Sequence, residues 1–100
     1  MSQPVAFDWD DGNVEKSWRK HGVRASECEE IFFNQPLLVH DHPRHSREEQ
    51  RCLTLGRTQV GRRLFVAFTQ RGDRIRVISA RDMSRGERRS YAEAQAQVDS

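Results

Sequence analysis

Residues 51–82, RCLTLGRTQVGRRLFVAFTQRGDRIRVISARD, decide the fold. Three apolar runs, RCLTLGRT, RLFVAFTQ and RIRVISAR, are separated only by short polar segments that contain Gly61 and Gly72. Strands joined by so few residues must run antiparallel, because a parallel pair needs a crossover of a dozen residues or more. The first run alternates, with Cys52, Thr54 and Gly56 opposing Leu53, Leu55 and Arg57. The other two are apolar on both faces, which places them in the middle of a sheet. In the last run, a period of two puts Ile75, Val77, Ser79 and Arg81 on one face.

Working outward, LLVHDH (37–42) reads as a further strand and PRHSREEQ (43–50) as a polar turn. Before them lie two helical stretches. Asp10 or Asp11 can cap the first, in which Val14, Trp18 and His21 fall at i, i+4 and i+7, and Gly22 supplies the stop. Ser26 and Glu29 form an S-x-x-E capping box for the second, which carries Ile31, Phe32 and Phe33 and ends at Asn34 and Pro36. VAFDWD (5–10) alternates as a short strand, with Val5, Phe7 and Trp9 on one face. At the other end, Ser84 and Glu87 form another capping box, so a helix starts there and runs to about Gln97, with Tyr91, Ala94 and Val98 on one face. The expectation is one domain over residues 1–100, of α+β class. Two N-terminal helices and a C-terminal helix pack on one face of a twisted, mostly antiparallel sheet of about four to five strands.

Charge is abundant but nearly balanced: 32% of residues are charged and the formal net charge is +2. The balance hides an asymmetry. Asp8, Asp10, Asp11, Glu15, Glu27, Glu29 and Glu30 crowd the N-terminal half, whereas arginines crowd the span from Arg57 to Arg89. Lys16 and Lys20 are the lysines, so the basic character is that of arginine, the side chain suited to bidentate recognition of phosphate or carboxylate. No apolar run is long enough to span a membrane. Cys28 and Cys52 fall in no motif, and no secretion signal precedes them, which points to reduced thiols and a cytoplasmic protein.

The arginines Arg81, Arg85, Arg88 and Arg89 gather around the start of the last helix. A helix N-terminus carries partial positive charge, so cations there are unfavourable unless an anion sits between them. Two explanations fit: an external phosphate or carboxylate, or ion pairs to Asp82, Glu87 or Glu93. Tyr91, three residues after Arg88, either works beside the arginines or fills the core. In RKHG (19–22), Lys20 and His21 are candidates for proton transfer or phosphate contact, although cations also belong at a helix C-terminus. His40, His42 and His45 lack the fourth ligand of a closed zinc site and leave only an open one conceivable. No cofactor motif and no metal site are expected.

FDWD, RKHGV, SECEEIFF, PRHSREE, LGRT, VAFTQR, RIRVISAR and SRGERRSY, in this order, resemble the BrnT toxin family of type II toxin–antitoxin systems. The resemblance implies a RelE-like fold, ribonuclease activity that arrests translation, and neutralisation by a ribbon-helix-helix antitoxin, BrnA. It also implies a heterotetrameric complex that reaches operator DNA only through the antitoxin. Onto this chain it carries Lys20, His21, Arg81, Arg88 and Tyr91 as catalytic candidates and Arg57 and Arg85 as RNA-binding ones, with His45 matching the family's HS pattern. Arg89, from the arginine cluster itself, is a further RNA-binding candidate. Two functional classes follow. One is a metal-independent endoribonuclease in which the RNA 2′-hydroxyl attacks the adjacent phosphate. The other is a non-catalytic basic module that holds nucleic acid or an acidic partner.

Overall fold

The computed structural model describes residues 6–42 and 51–99. The elements are β1 (Ala6–Phe7), α1 (Asp11–His21), α2 (Ala25–Ile31), β2 (Leu38–His42), β3 (Arg51–Arg57), β4 (Arg63–Arg71), β5 (Arg74–Asp82) and α3 (Arg85–Asp99). The turn expected over residues 43–50 lies outside the described residues, as do Val5 and His45.

The five strands form one sheet in the order β1-β5-β4-β3-β2. Strands β2 to β5 pair antiparallel, and β1 joins β5 in parallel. The two glycine turns behave as their sequence demands: Gly61 and Gly72 take φ of 92° and 61°, a region where side-chain-bearing residues are strained. The molecule is therefore α+β, with its longest strands central.

One face of the sheet carries the main core. Val23, Cys28, Ile31, Leu64, Val66, Val77 and Ala80 are buried together, flanked by Trp9, Phe32 and Leu37. Gly56 lets α2 approach β3. A Cβ built there would stand 2.8 Å from Cβ of Ile31 and 3.1 Å from Leu37, closer than packed carbons can sit. Cys28 is enclosed in this core. Burial, then the nearby Glu27 and Glu29, push its thiol up to about 12, so it is a packing residue rather than a nucleophile.

Helix α1 departs from the expected pattern. Val14 and Trp18 do not face the core; they are 36% and 50% exposed. The buried residues are Asn13 and Ser17. The reason is hydrogen bonding. Strand β1 covers only the first residues of β5, and α1 lies beyond it, where β5 would otherwise present bare backbone. Asn13 Nδ2 donates to the carbonyls of Val77 at 3.0 Å and Asp8 at 3.1 Å. The amide of Ala80 donates to Ser17 Oγ at 2.9 Å. Asp10 is the cap, accepting from the Asn13 amide at 3.1 Å, and Gly22 closes the helix with φ 64°.

Three further expectations need correction. The box at the start of α2 is set earlier than Ser26 and Glu29: the Arg24 amide donates to Glu27 Oε1 at 2.9 Å, and Glu29 instead accepts from Trp9 Nε1 at 2.7 Å. In β5 the register slips opposite Ala67 and Phe68, with Ser79 facing Ala67 and Val77 facing Phe68. Ile78 is the extra residue, so Ser79 and Arg81 point away from the face that holds Val77. Finally, the helices do not share one face. Tyr91 and Gln95 of α3 meet Arg63, whose neighbour Leu64 faces the core with α2, so α3 packs on the opposite side. It is capped as expected, with Ser84 Oγ accepting from the Glu87 amide at 3.2 Å and Glu87 Oε1 from the Ser84 amide at 2.8 Å. Val98, which spacing places on the same helix face as Tyr91, is half exposed.

Candidate active site

The end of β5, the start of α3 and the end of α1 meet at one side of the molecule. Arg62, just before β4, holds them there. Its guanidinium donates to Asp82 Oδ1 at 2.8 Å and Oδ2 at 3.1 Å, to Glu27 Oε1 at 3.1 Å, and to the carbonyls of Gly22 at 3.0 Å and His21 at 3.3 Å. One side chain thus satisfies two terminal carbonyls of α1 and ties them to α2 and β5. Asp82 is held below its ordinary pKa. The Arg62 hydrogen bonds are the main cause, and the charges of Arg62, Arg88 and His21 add to it. His21 and Arg88, far apart in sequence, therefore face the same carboxylate.

Arg81 has a partner within the chain. Its Nη1 and Nη2 donate to the two oxygens of Glu87 at 2.9 and 3.0 Å. The guanidinium carbon stands 4.1 Å from the centre of the Phe65 ring. Glu87 is held below its usual range, first by the hydrogen bond from Arg81 and then by Ser84. Of the two explanations for cations at this helix start, Arg81 follows the ion pair, with Glu87 the anion beside it. Arg85 and Arg89 do not. Both are exposed, and neither side chain makes a hydrogen bond or ion pair to another described residue. Arg88 is exposed too, with a long 3.5 Å contact to the Met83 carbonyl.

Tyr91 must be reassigned. It is 0% exposed and its hydroxyl donates to the Pro36 carbonyl at 2.7 Å. Burial raises its pKa, although Arg57 and Arg63 oppose that shift. A phenol so enclosed anchors α3 and is not placed to move a substrate proton. Arg57 belongs to this anchor, donating through Nε to the Gln35 carbonyl at 2.9 Å, and Arg63 lies over the Tyr91 ring at 5.9 Å. Lys20 and His21 are exposed at the last turn of α1.

The structure thus sorts the expected residues into an accessible set and an internal one. Arg81, Arg85, Arg88 and Arg89 lie at the α3 start with His21 facing Asp82 beside them, Lys20 is exposed on the last turn of α1, and Tyr91 and Arg57 brace α3 from within. Arg62 escaped the sequence reading because its acidic partners, Glu27 and Asp82, lie 35 and 20 residues away. Beside Arg81 opens a groove of about 310 Å³, lined by Leu38, His40, Leu53, Leu55, Phe65 and Glu87 among others.

A family model described as ribonuclease toxin, BrnT, of type II toxin-antitoxin system matches residues 9–87. The chain belongs to the BrnT family. No curated protein matches it. Membership in BrnT brings RNA as the target class and a cognate antitoxin as partner. The match includes Lys20, His21, Arg57, Arg81 and Arg85, and ends before Arg88, Arg89 and Tyr91. The acidic N-terminal face is largely internally compensated. Arg76 reaches Asp10 at 3.0 Å and Asp8 at 3.6 Å, and Arg71 reaches Asp8 at 3.8 Å. Among the described residues no group of three His, Cys, Asp or Glu side chains is arranged to hold a metal. No helix among them is long and apolar enough to cross a membrane.

Proposed function

We propose that this BrnT chain is a metal-independent endoribonuclease that arrests translation by cutting RNA and is silenced by its antitoxin. The observation that carries the reading is the set of exposed cations at the α3 start, Arg85, Arg88 and Arg89, of which the Arg85 and Arg89 side chains have no partner among the described residues. RNA contains its own nucleophile, so the protein has only to align the 2′-hydroxyl, stabilise charge on the phosphate and move protons. Arg85 and Arg88 hold the phosphate, with Arg81 donating to it through an N–H that Glu87 does not occupy. Arg89 tracks the neighbouring backbone. His21 or Lys20 moves the proton. Tyr91 and Arg57 act only by holding α3 in place. An antitoxin that covers this surface with carboxylates neutralises the toxin by the same chemistry that binds RNA.

The test is incubation of purified protein with a long single-stranded RNA in EDTA. The expected products are fragments ending in 2′,3′-cyclic phosphate or its hydrolysis product. RNA that stays intact in EDTA and is cut when Mg²⁺ is restored would overturn the metal-independent mechanism.

A further inference from the structure

The groove beside Arg81 lies on the sheet face opposite the main core. Its floor is Leu38, Leu53, Leu55 and Phe65; His40 of β2 stands on one side and Glu87 of α3 on the other. Its volume of about 310 Å³ sits at the lower end of the range for small-ligand pockets, roughly 300–1,000 Å³. That suits one planar heterocycle and not a paired duplex. An apolar floor with a few convergent polar groups is how proteins take up an unstacked base.

Glu87 gives the groove its chemical preference. An ionised carboxylate has about four acceptor positions. Three are used: Arg81 Nη1 and the Ser84 amide on Oε1, and Arg81 Nη2 on Oε2. One acceptor position remains, on Oε2. Adenine, cytosine and guanine each present an exocyclic amino group to it. Uracil presents a single N–H flanked by two carbonyls, which an anion repels. Arg81 links the two sites, because its guanidinium both grips Glu87 and rests on the groove floor at Phe65.

Resting on the ribonuclease reading above, we propose that this groove is a nucleobase subsite for single-stranded RNA, with Glu87 and His40 reading the edge of one base and selecting amino-bearing bases over uracil. Single-strand selectivity then follows from the groove's size, and His40 becomes a specificity-determining residue.

The experiment has two arms. In the first, AMP, CMP, GMP and UMP are titrated into the wild-type protein while the methyl resonances of Leu38, Leu53 and Leu55 are followed by NMR. Shifts at these methyls with the amino-bearing nucleotides, and affinity for UMP weaker by roughly tenfold or more, are expected. Methyls that do not respond, or that respond equally to UMP, overturn the subsite whether or not the protein cuts RNA. In the second arm, cleavage ends are mapped on a mixed-sequence RNA for the wild type and for His40→Ala and Leu53→Trp. Depletion of uracil at one fixed position from the cut, relaxed in both variants, is expected. A flat profile with normal cleavage overturns the subsite and leaves the ribonuclease reading standing. Absence of any cleavage strikes that reading instead, and the first arm still decides the groove.

Discussion

Arg81→Ala is expected to lower RNA cleavage by roughly 10²–10³-fold, the usual loss when one donor to developing negative charge is removed. The protein should stay folded. The Arg81–Glu87 pair is partly exposed, with the two side chains 38% and 26% accessible, and pairs of this kind contribute about 1 kcal/mol or less. The Ser84 amide continues to donate to Glu87, so the α3 cap persists. Initial cleavage rates, taken with thermal melts on the same samples, separate the two effects. A folded Arg81→Ala protein that cuts RNA at the wild-type rate would remove Arg81 from the site.

Arg62→Ala acts on stability first. The substitution strands Asp82 and Glu27 and leaves the His21 and Gly22 carbonyls without their guanidinium donor. Removing one partner of a fully buried ion pair costs about 3–5 kcal/mol. Arg62 is 27% accessible, so a loss of about 2–3 kcal/mol is expected, read as a lower urea midpoint with unchanged slope. The pH dependence gives an independent check. Arg62 holds the Asp82 pKa below its ordinary 3.8, so the pair contributes stability above that value and loses it as pH falls through the lower folded value. Wild-type stability therefore drops on acidification below about pH 4. Arg62→Ala should show a shallower acid limb at Asp82. An unchanged midpoint and an unchanged acid limb would contradict the role given to Arg62.

The antiparallel sheet was legible because Gly61 and Gly72 punctuate three apolar runs, and turn chemistry of that kind is local. The start of α3 was legible for the same reason, since Ser84 and Glu87 carry their own cap. The packed side of α1 was not. Apolar spacing pointed to Val14 and Trp18, but the helix serves a strand edge, and an edge asks for the amide of Asn13 and the hydroxyl of Ser17. The slip at Ile78 was hidden as well, because RIRVISAR alternates evenly and the extra residue is visible only against β4. The accessible cations were legible in the charge pattern itself, and the family resemblance grouped Tyr91 with them as a catalytic candidate. Only packing reveals that the Tyr91 hydroxyl is spent on the Pro36 carbonyl, 55 residues away. Glu87 was read as a cap and a possible ion-pair partner of Arg81. Its third role, as one wall of a groove beside His40, needs β2 and α3 to be brought together.

The central claim is that RNA is held at the start of α3. The most direct test is an NMR titration of arginine-labelled and histidine-labelled protein with a single-stranded RNA that is 2′-O-methylated throughout, so that it binds and cannot be cut. Shifts at the Nε–Hε groups of Arg81, Arg85 and Arg88 and at the His21 ring are the expected result. Shifts confined to Arg71, Arg74 and Arg76, at the opposite end of the β4–β5 pair, would contradict it.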